Sequence, residues 1–191
     1  MVGNRHSCAD KQEKATIFWG DETGVKNTTQ HGRCYAPVGK TPVQPLPAKR
    51  VSLNMISAIS NQGVVRFMLY ESSMNAKTLI KFLRALIEST PNKVFLILDN
   101  LRVHHAKKVK RWLSRPTIKQ RLEVFFLPPY SPELNPDEYL NCDLKGMLHS
   151  GEAIRTVEGL KQKTRSCMRT LQCRPERVKS YFKSRHIQYA A

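Results

Sequence analysis

The sequence predicts an α/β fold: a mixed sheet built in the order β-β-β-α-β-α-β-α, with helices on both faces and a helical appendage at the C-terminus. Three observations lead there. Runs rich in β-branched and aromatic residues come first, in hairpin succession, at Ala15–Gly20, Val51–Ser60 and Val64–Tyr70. Amphipathic helical stretches then alternate with two further apolar runs, Val94–Leu98 and Leu122–Leu127. Beyond residue 150 only helical periodicity remains. Hairpins followed by alternating strands and helices produce a mixed sheet whose two faces both need covering.

Residues 1–14 are polar and read as a flexible arm, with no apolar segment of the kind a signal peptide needs. Ala15–Gly20 is the first strand, and Asp21 sits at or near its end. Residues 24–50 are punctuated by Gly32, Pro37, Gly39, Pro42, Pro45 and Pro47, which predicts a short hairpin and then a basic loop ending in Lys49-Arg50. Asn61-Gln62-Gly63 between the next two runs is a hairpin signal. Asn75 can cap a helix whose Leu79, Leu83, Leu86 and Ile87 keep helical spacing, closed by Pro91. Val94–Leu98 is uniformly apolar, as expected of a central strand buried on both faces. Ala106–Leu113 reads as a helix that presents Ala106, Val109, Trp112 and Leu113 on one face, with Pro116 as its stop. After the strand Leu122–Leu127, Asn135-Pro136 marks a helix start, Asn as cap and Pro in the first turn. Leu140, Leu144, Met147 and Leu148 form the stripe of that helix. Glu138 lies about 200° around the wheel from Leu140 and need not be buried with it. Thr156–Leu171 and Pro175–Phe182 are the last two helical segments. The expected division is an arm over 1–14, a core domain over 15–150 and the appendage over 151–191.

Charge bears on partners more than on fold. The 191 residues hold 32 Lys and Arg against 15 Asp and Glu, a formal net charge of +17. Such a surface suits nucleic acid, whose counterions are released when phosphates are neutralised. A basic protein that is merely soluble or ribosome-associated is the plainer alternative. Five cysteines (Cys8, Cys34, Cys142, Cys167 and Cys173) form no C-x-x-C pair, which argues against a secreted disulfide scaffold and a structural zinc site and for reduced thiols in an intracellular protein. His104, His105 and His149 show no zinc-ligand spacing either.

Against this basic background, three carboxylates are delivered by separate elements: Asp21 after the first apolar run, Asp99 after the fourth, and Glu138 at the start of a helix, behind the proline-punctuated stretch LPPYSPELNP. Cleaving a phosphodiester requires charge to be absorbed on the attacking and leaving oxygens, which two divalent ions roughly 3.5–4 Å apart can do. Mg²⁺ is held by a few carboxylates plus water and substrate phosphates. Asp99, at the mouth of the central strand, is the candidate bridging ligand, and Asp21 and Glu138 would each hold one side. Each acid also has a plainer role: Asp21 and Asp99 as turn residues, Glu138 and Asp137 as helix-start acids favoured by the macrodipole. Glu22 is expected to point the other way along its strand. His104 or His105 could contact phosphate or help activate water. Lys40, Lys49, Arg50, Arg102, Lys107, Lys108, Lys110, Arg111 and Lys145 are cations that could follow a DNA backbone, although for any single one a solvated surface charge is the plainer reading.

Several of these segments together resemble one family. Asp21-Glu22-Thr23-Gly24, the Asp99-Asn100 strand end with His104-His105-Ala106, and Leu127–Glu138 are similar to the DDE transposases of the mariner superfamily, in particular the branch of bacterial insertion sequence 630. Val51–Tyr70 and Gly39-Lys40-Thr41-Pro42 are similar as well. The resemblance covers Thr16 to Lys145 and implies an RNase H-like fold, two Mg²⁺ or Mn²⁺ ions and a catalytic, metal-binding triad of Asp21, Asp99 and Glu138. It further implies hydrolysis that frees a 3′-OH at a transposon end, direct attack of that 3′-OH on target DNA, a homodimer on paired ends, and a cytoplasmic, nucleoid-associated protein. Two departures stand out. Asn141 occupies the place of a family Trp three residues after the Glu, which predicts a looser Glu138. The fifteen or so residues before the first strand leave no room for helix-turn-helix domains, so the catalytic half alone is expected. An inactive remnant that binds DNA or regulates a full-length enzyme is the alternative, and an RNase H-like nuclease acting on RNA hybrids or junctions is a third.

Overall fold

In the computed structural model, the described residues are 15–28, 35, 37–40, 50–129, 131–148 and 154–190. The polar arm and most of the predicted hairpin and loop over 24–50 lie outside them. Five strands make one sheet: β1 (Ala15–Lys26), β2 (Ser52–Ile59), β3 (Val65–Tyr70), β4 (Lys93–Leu98) and β5 (Leu122–Phe126). Their spatial order is β3-β2-β1-β4-β5, with β1 antiparallel to β2 and parallel to β4. Helix α1 (Ala76–Glu88) makes the crossover from β3 to β4, and α2 (Lys107–Leu113) with the short α3 (Pro116–Lys119) leads into β5. The chain then continues through α4 (Asp137–Leu148), α5 (Val157–Gln172) and α6 (Pro175–Tyr181).

Each face of the sheet carries its own core. Phe18, Ile56, Leu96 and Leu98 pack with Leu79, Phe82 and Leu83 of α1 and with Val109 and Trp112 of α2. On the other face Trp19, Met55 and Ile59 pack with Leu140 and Leu144 of α4, Leu160 and Met168 of α5, and Val178 of α6. The alternation along β1 (Phe18 to one core, Trp19 to the other) is the period-two pattern of a strand buried on both faces. The C-terminal helices thus share a core with the strands. Gly63 helps them do so. It closes the β2–β3 turn at φ +86°, and a Cβ there would stand 2.6 Å from the Pro175 carbonyl oxygen, so only glycine lets α6 begin so close to the turn.

Several local expectations are met. The Asn75 side chain accepts hydrogen bonds from the Lys77 and Thr78 amides as the cap of α1. Asn135 Oδ1 accepts from the Asp137 amide at the start of α4. Three others are corrected. Asp21 lies inside a twelve-residue β1 and not at its end, because pairing with β2 runs on to Lys26 after pairing with β4 stops at Trp19. Strand β4 buries Val94, Leu96 and Leu98 but leaves Phe95 and Ile97 half-buried, so it is not covered equally on both faces. The helix before Pro116 does end at Leu113, but Pro116 also opens a new short helix, taking its first position, where a missing N–H costs nothing. Among the described residues Cys142, Cys167 and Cys173 are free thiols, and no helix is long and apolar enough to cross a membrane.

Candidate active site

The register of β1 against β4 sets up the site. The last parallel partners are Trp19 and Ile97. Asp21 and Asp99 each stand two residues further on, so they leave neighbouring strands, roughly 4.8 Å apart, on the same face. Beyond that point β1 has no β4 neighbour, and its open edge borders a cleft of about 780 Å³. Asp21, Glu22, Asp99 and Glu138 all line this cleft, with Asn100, Arg102 and Asn135. Pro128, Pro129 and Pro132, with restricted backbones, form another wall.

Glu138 is brought there by three tethers at the start of α4. Asn135 Nδ2 donates to the Gly20 carbonyl at 3.1 Å. The hydroxyl of Ser57, beside Asp21 in register, donates to Asp137 Oδ2 at 2.6 Å. Asn141 Nδ2 donates to Asp21 Oδ2 at 2.8 Å. Asp137 and Asn141, one helical turn apart, are both fully buried, and their Oδ1 atoms have no hydrogen-bond partner. Glu138 follows Asp137 by ~100° of helix rotation, which turns it into the cleft. Asn141 therefore does more than vacate the position of an aromatic residue: it fastens α4 to the carboxylate of β1.

A second link holds the other side. His104, whose side chain is 2% exposed, sits within a 3₁₀ turn at Arg102–His105. Its Nε2 is 3.0 Å from Glu22 Oε1, and its Nδ1 is 2.9 Å from the Asp99 carbonyl oxygen and 3.3 Å from Asp99 Oδ1. Burial is the largest single influence and opposes a charge on this imidazole, but the bonds to Glu22 and Asp99 and the charges of both together outweigh it and raise the pKa.

The carboxyl groups feel one another. Burial, then the charge of Glu138, pushes Asp21 up to about 7, with Asp99 and Glu22 adding to the rise. Burial also raises Asp99, partly offset by His104. Burial and the charge of Asp21 hold Asp137 well above the usual range, against the Ser57 bond. Four carboxyl groups against one cation, Arg102, line this cleft of a chain with net charge +17. Such an excess of hard oxygen donors could hold divalent cations of the Mg²⁺ type. Among the described residues no three His, Cys, Asp or Glu side chains enclose a common point as a closed protein cage would. Hard ions of this class take one or two carboxylates each and leave the remaining positions to water and phosphate, so the donor set fits them.

Of the other cations singled out in the sequence, Arg102 borders the cleft. Lys40, Lys107, Lys108 and Lys145 are exposed and do not line it. His105 lies outside it, beside Phe126 at 4.4 Å between ring centroids. His104 is too buried to offer a surface to phosphate. Sequence reasoning gave Glu22 at most a supporting part; in the structure it lines the cleft and meets His104 Nε2 at 3.0 Å. Sequence reasoning missed the tethering roles of Ser57, Asp137 and Asn141, for which only the clustering of polar residues in an otherwise apolar stripe gave a signal.

The comparisons with known proteins agree with this architecture. The chain is similar in structure to the Mos1 mariner paired-end complex with Mn, with a TM-score of 0.64 at 19% identity over 92% of this chain and 56% of that one. For the catalytic domain of Mos1 mariner transposase the TM-score is 0.58 at 19% identity, covering 92% and 82%. The catalytic core domain of BIV integrase gives 0.53 at 17% identity, covering 91% and 98%. These likenesses show the RNase H-like fold of integrase and transposase catalytic cores. The chain spans a little over half the length of the Mos1 chains in the paired-end complexes (55% and 56%). Among curated proteins there is no match. The family model described as DDE superfamily endonuclease matches residues 16–161, most of the chain and every element that lines the cleft, and the chain belongs to that family.

Proposed function

We propose that this chain is the catalytic domain of a transposase of the mariner superfamily, in the branch of bacterial insertion sequence 630. It would act in the cytoplasm on nucleoid DNA, as a homodimer on paired transposon ends. Asp21, Asp99 and Glu138 would hold two Mg²⁺ or Mn²⁺ ions. The observation that carries the reading is the cleft itself, where acids from β1, from the end of β4 and from α4 converge in a strongly basic protein. When bound, such ions neutralise charge on the attacking and leaving oxygens and make water a stronger nucleophile.

The chain's own groups perform the rest. In the first step a water oxygen bonds to phosphorus, the bond from phosphorus to the 3′ oxygen breaks, and that oxygen takes a proton, leaving a 3′-OH and a 5′-phosphate. In the second step this 3′-OH loses its proton and bonds to a target phosphorus, whose own 3′ oxygen departs with a proton. Asn141 orients the Asp21 carboxylate, and His104 fixes Asp99 against Glu22. Pro128, Pro129 and Pro132 line another side of the cleft.

The test is direct. A labelled duplex incubated with the protein and Mg²⁺ or Mn²⁺ should yield nicked products ending in 3′-OH and labelled strand joined to a second duplex, and EDTA should stop both. Absence of nicking with either ion, by protein that still binds the duplex, sinks the proposal.

Asn141→Ala should weaken Mn²⁺ binding about tenfold by calorimetry, since a hydrogen bond to a carboxylate is worth ~1.5–3 kcal/mol. Its Tm in EDTA should fall by only a few degrees. Unchanged Mn²⁺ affinity would remove Asn141 from the positioning role.

A further inference from the structure

We propose that the outer face of α5 is a second DNA contact: a groove that grips the phosphate backbone of a duplex without reading sequence, apart from the acidic cleft. The inference rests on the reading above that the chain acts on DNA. Gln162, Arg165, Ser166, Arg169, Thr170 and Cys173 recur at three- and four-residue intervals and so form one stripe of the helix. With Arg174 they line a groove of about 720 Å³ that shares no residue with the cleft. The opposite stripe of α5, with Leu160, Thr164, Cys167, Met168 and Leu171, is buried, so the helix cannot roll its arginines away.

Three neighbouring cations are paired with carboxylates. Lys161 meets Glu71 at 3.3 Å, Arg177 meets Asp143 at 2.7 Å and Lys179 meets Glu176 at 2.7 Å. No acid lines the groove, and among the described residues no carboxylate lies within ion-pair distance of Arg165, Arg169 or Arg174. Arg165 and Arg169, one turn apart, repel each other. A chain of phosphates relieves that repulsion, and guanidinium forks match phosphate oxygens. The short side chains of Ser166 and Thr170 between them leave a backbone room to approach. Past α6, the exposed Lys183 and Arg185 add further positive charge.

The test compares two triple variants in EDTA, where cleavage plays no part. One is Arg165→Gln, Arg169→Gln and Arg174→Gln. The other makes the same charge change on the far face of the sheet, at the exposed Lys77, Lys81 and Arg84 of α1, each to Gln. Fluorescence anisotropy with a random-sequence duplex, titrated across salt concentrations, reads affinity and salt slope. The α5 triple should bind at least about tenfold more weakly, with a slope smaller by roughly 2 to 3 at 0.9 per phosphate contact, and Arg165→Gln alone should lower the slope by about 1. The α1 triple should stay within about twofold of the parent. Equal weakening by both triples would mean that net charge alone matters and would overturn the proposal, as would an α5 triple that binds like the parent. Because no ion is present, this result stands whether or not the parent protein nicks DNA.

Discussion

Asp99→Ala should lower Mg²⁺-dependent nicking by at least about a thousandfold, some 4 kcal/mol of transition-state stabilisation, while DNA binding keeps its affinity and salt dependence within about twofold. Asp99 follows directly on β4, level with Asp21 across the parallel pair, in the position from which one carboxylate can serve both sides of the cleft. Its removal deletes a hard oxygen donor that no neighbour replaces: Asn100 offers only an amide, and Glu22 is held by His104. Fold and binding have little reason to change. The backbone carbonyl of Asp99, which bonds His104 at 2.9 Å, remains in the variant, and the carboxyl side chain is 37% exposed. Deleting a negative charge would, if anything, ease the approach of DNA. Nicking of supercoiled plasmid, read beside mobility shifts at several salt concentrations, separates the two properties. A variant that nicks like the parent would dismiss Asp99 as a ligand, and one that also loses DNA binding would show a role in recognition.

How far the sequence went toward this site depends on the range of the interactions involved. The α1 cap at Asn75 and the Asn61-Gln62-Gly63 turn are encoded within four residues, so they are readable without knowing the fold. The three acids are readable for a related reason: each sits where a local pattern breaks, at the close of an apolar run or the opening of a helix. What the sequence could not show is which strands lie side by side. The Trp19–Ile97 register decides that Asp21 stands level with Asp99, and the contact of Glu22 with His104 spans 82 residues. The Asn141–Asp21 bond spans 120 residues, and the Ser57–Asp137 bond spans 80. Asn141 on its own reads as the loss of an aromatic anchor; with β1 packed beneath it, the same residue is a tether. Asp137 reads as a surface helix-start acid, yet it is fully buried against Ser57 of β2. Pro116 shows the opposite ambiguity, since a proline ends one helix and begins another equally well.

The second large effect concerns stability. In EDTA, Asp21→Asn should gain on the parent by about 2–4 kcal/mol as pH rises from 4 to 7. The sign follows from the direction of the shift. In the unfolded chain Asp21 ionises near 3.8, whereas in the folded protein burial and the charge of Glu138 delay ionisation to about 7. Below 3.8 both states hold the proton and the two proteins differ little. Between the two values the unfolded state ionises freely while the folded state resists, so the parent loses stability with each rise in pH. Above about 7 the loss is complete. At ~1.4 kcal/mol per pH unit the full interval corresponds to roughly 4 kcal/mol, and sharing of the proton with neighbouring carboxyls trims it. Asparagine keeps a carbonyl oxygen for the Asn141 amide but has nothing to ionise. Asp137, Asp99 and His104 are also raised and act in the same direction, but they are present in both proteins and largely cancel in the comparison. Asp143, held low by Arg177, loses its contribution only below 3.8, outside the window. Thermal melts across pH should therefore show curves that diverge up to neutrality, by on the order of 10 °C at ~2–4 °C per kcal/mol. Mn²⁺ should then close the gap, because an ion bound to the native carboxylates stabilises only the protein that has them all. Parallel melts in EDTA would mean that Asp21 is not confined among like charges. Equal rescue of both proteins by Mn²⁺ would mean that the ion binds elsewhere. Divergence followed by selective rescue would identify the instability as the ground-state cost of a cleft built to hold cations.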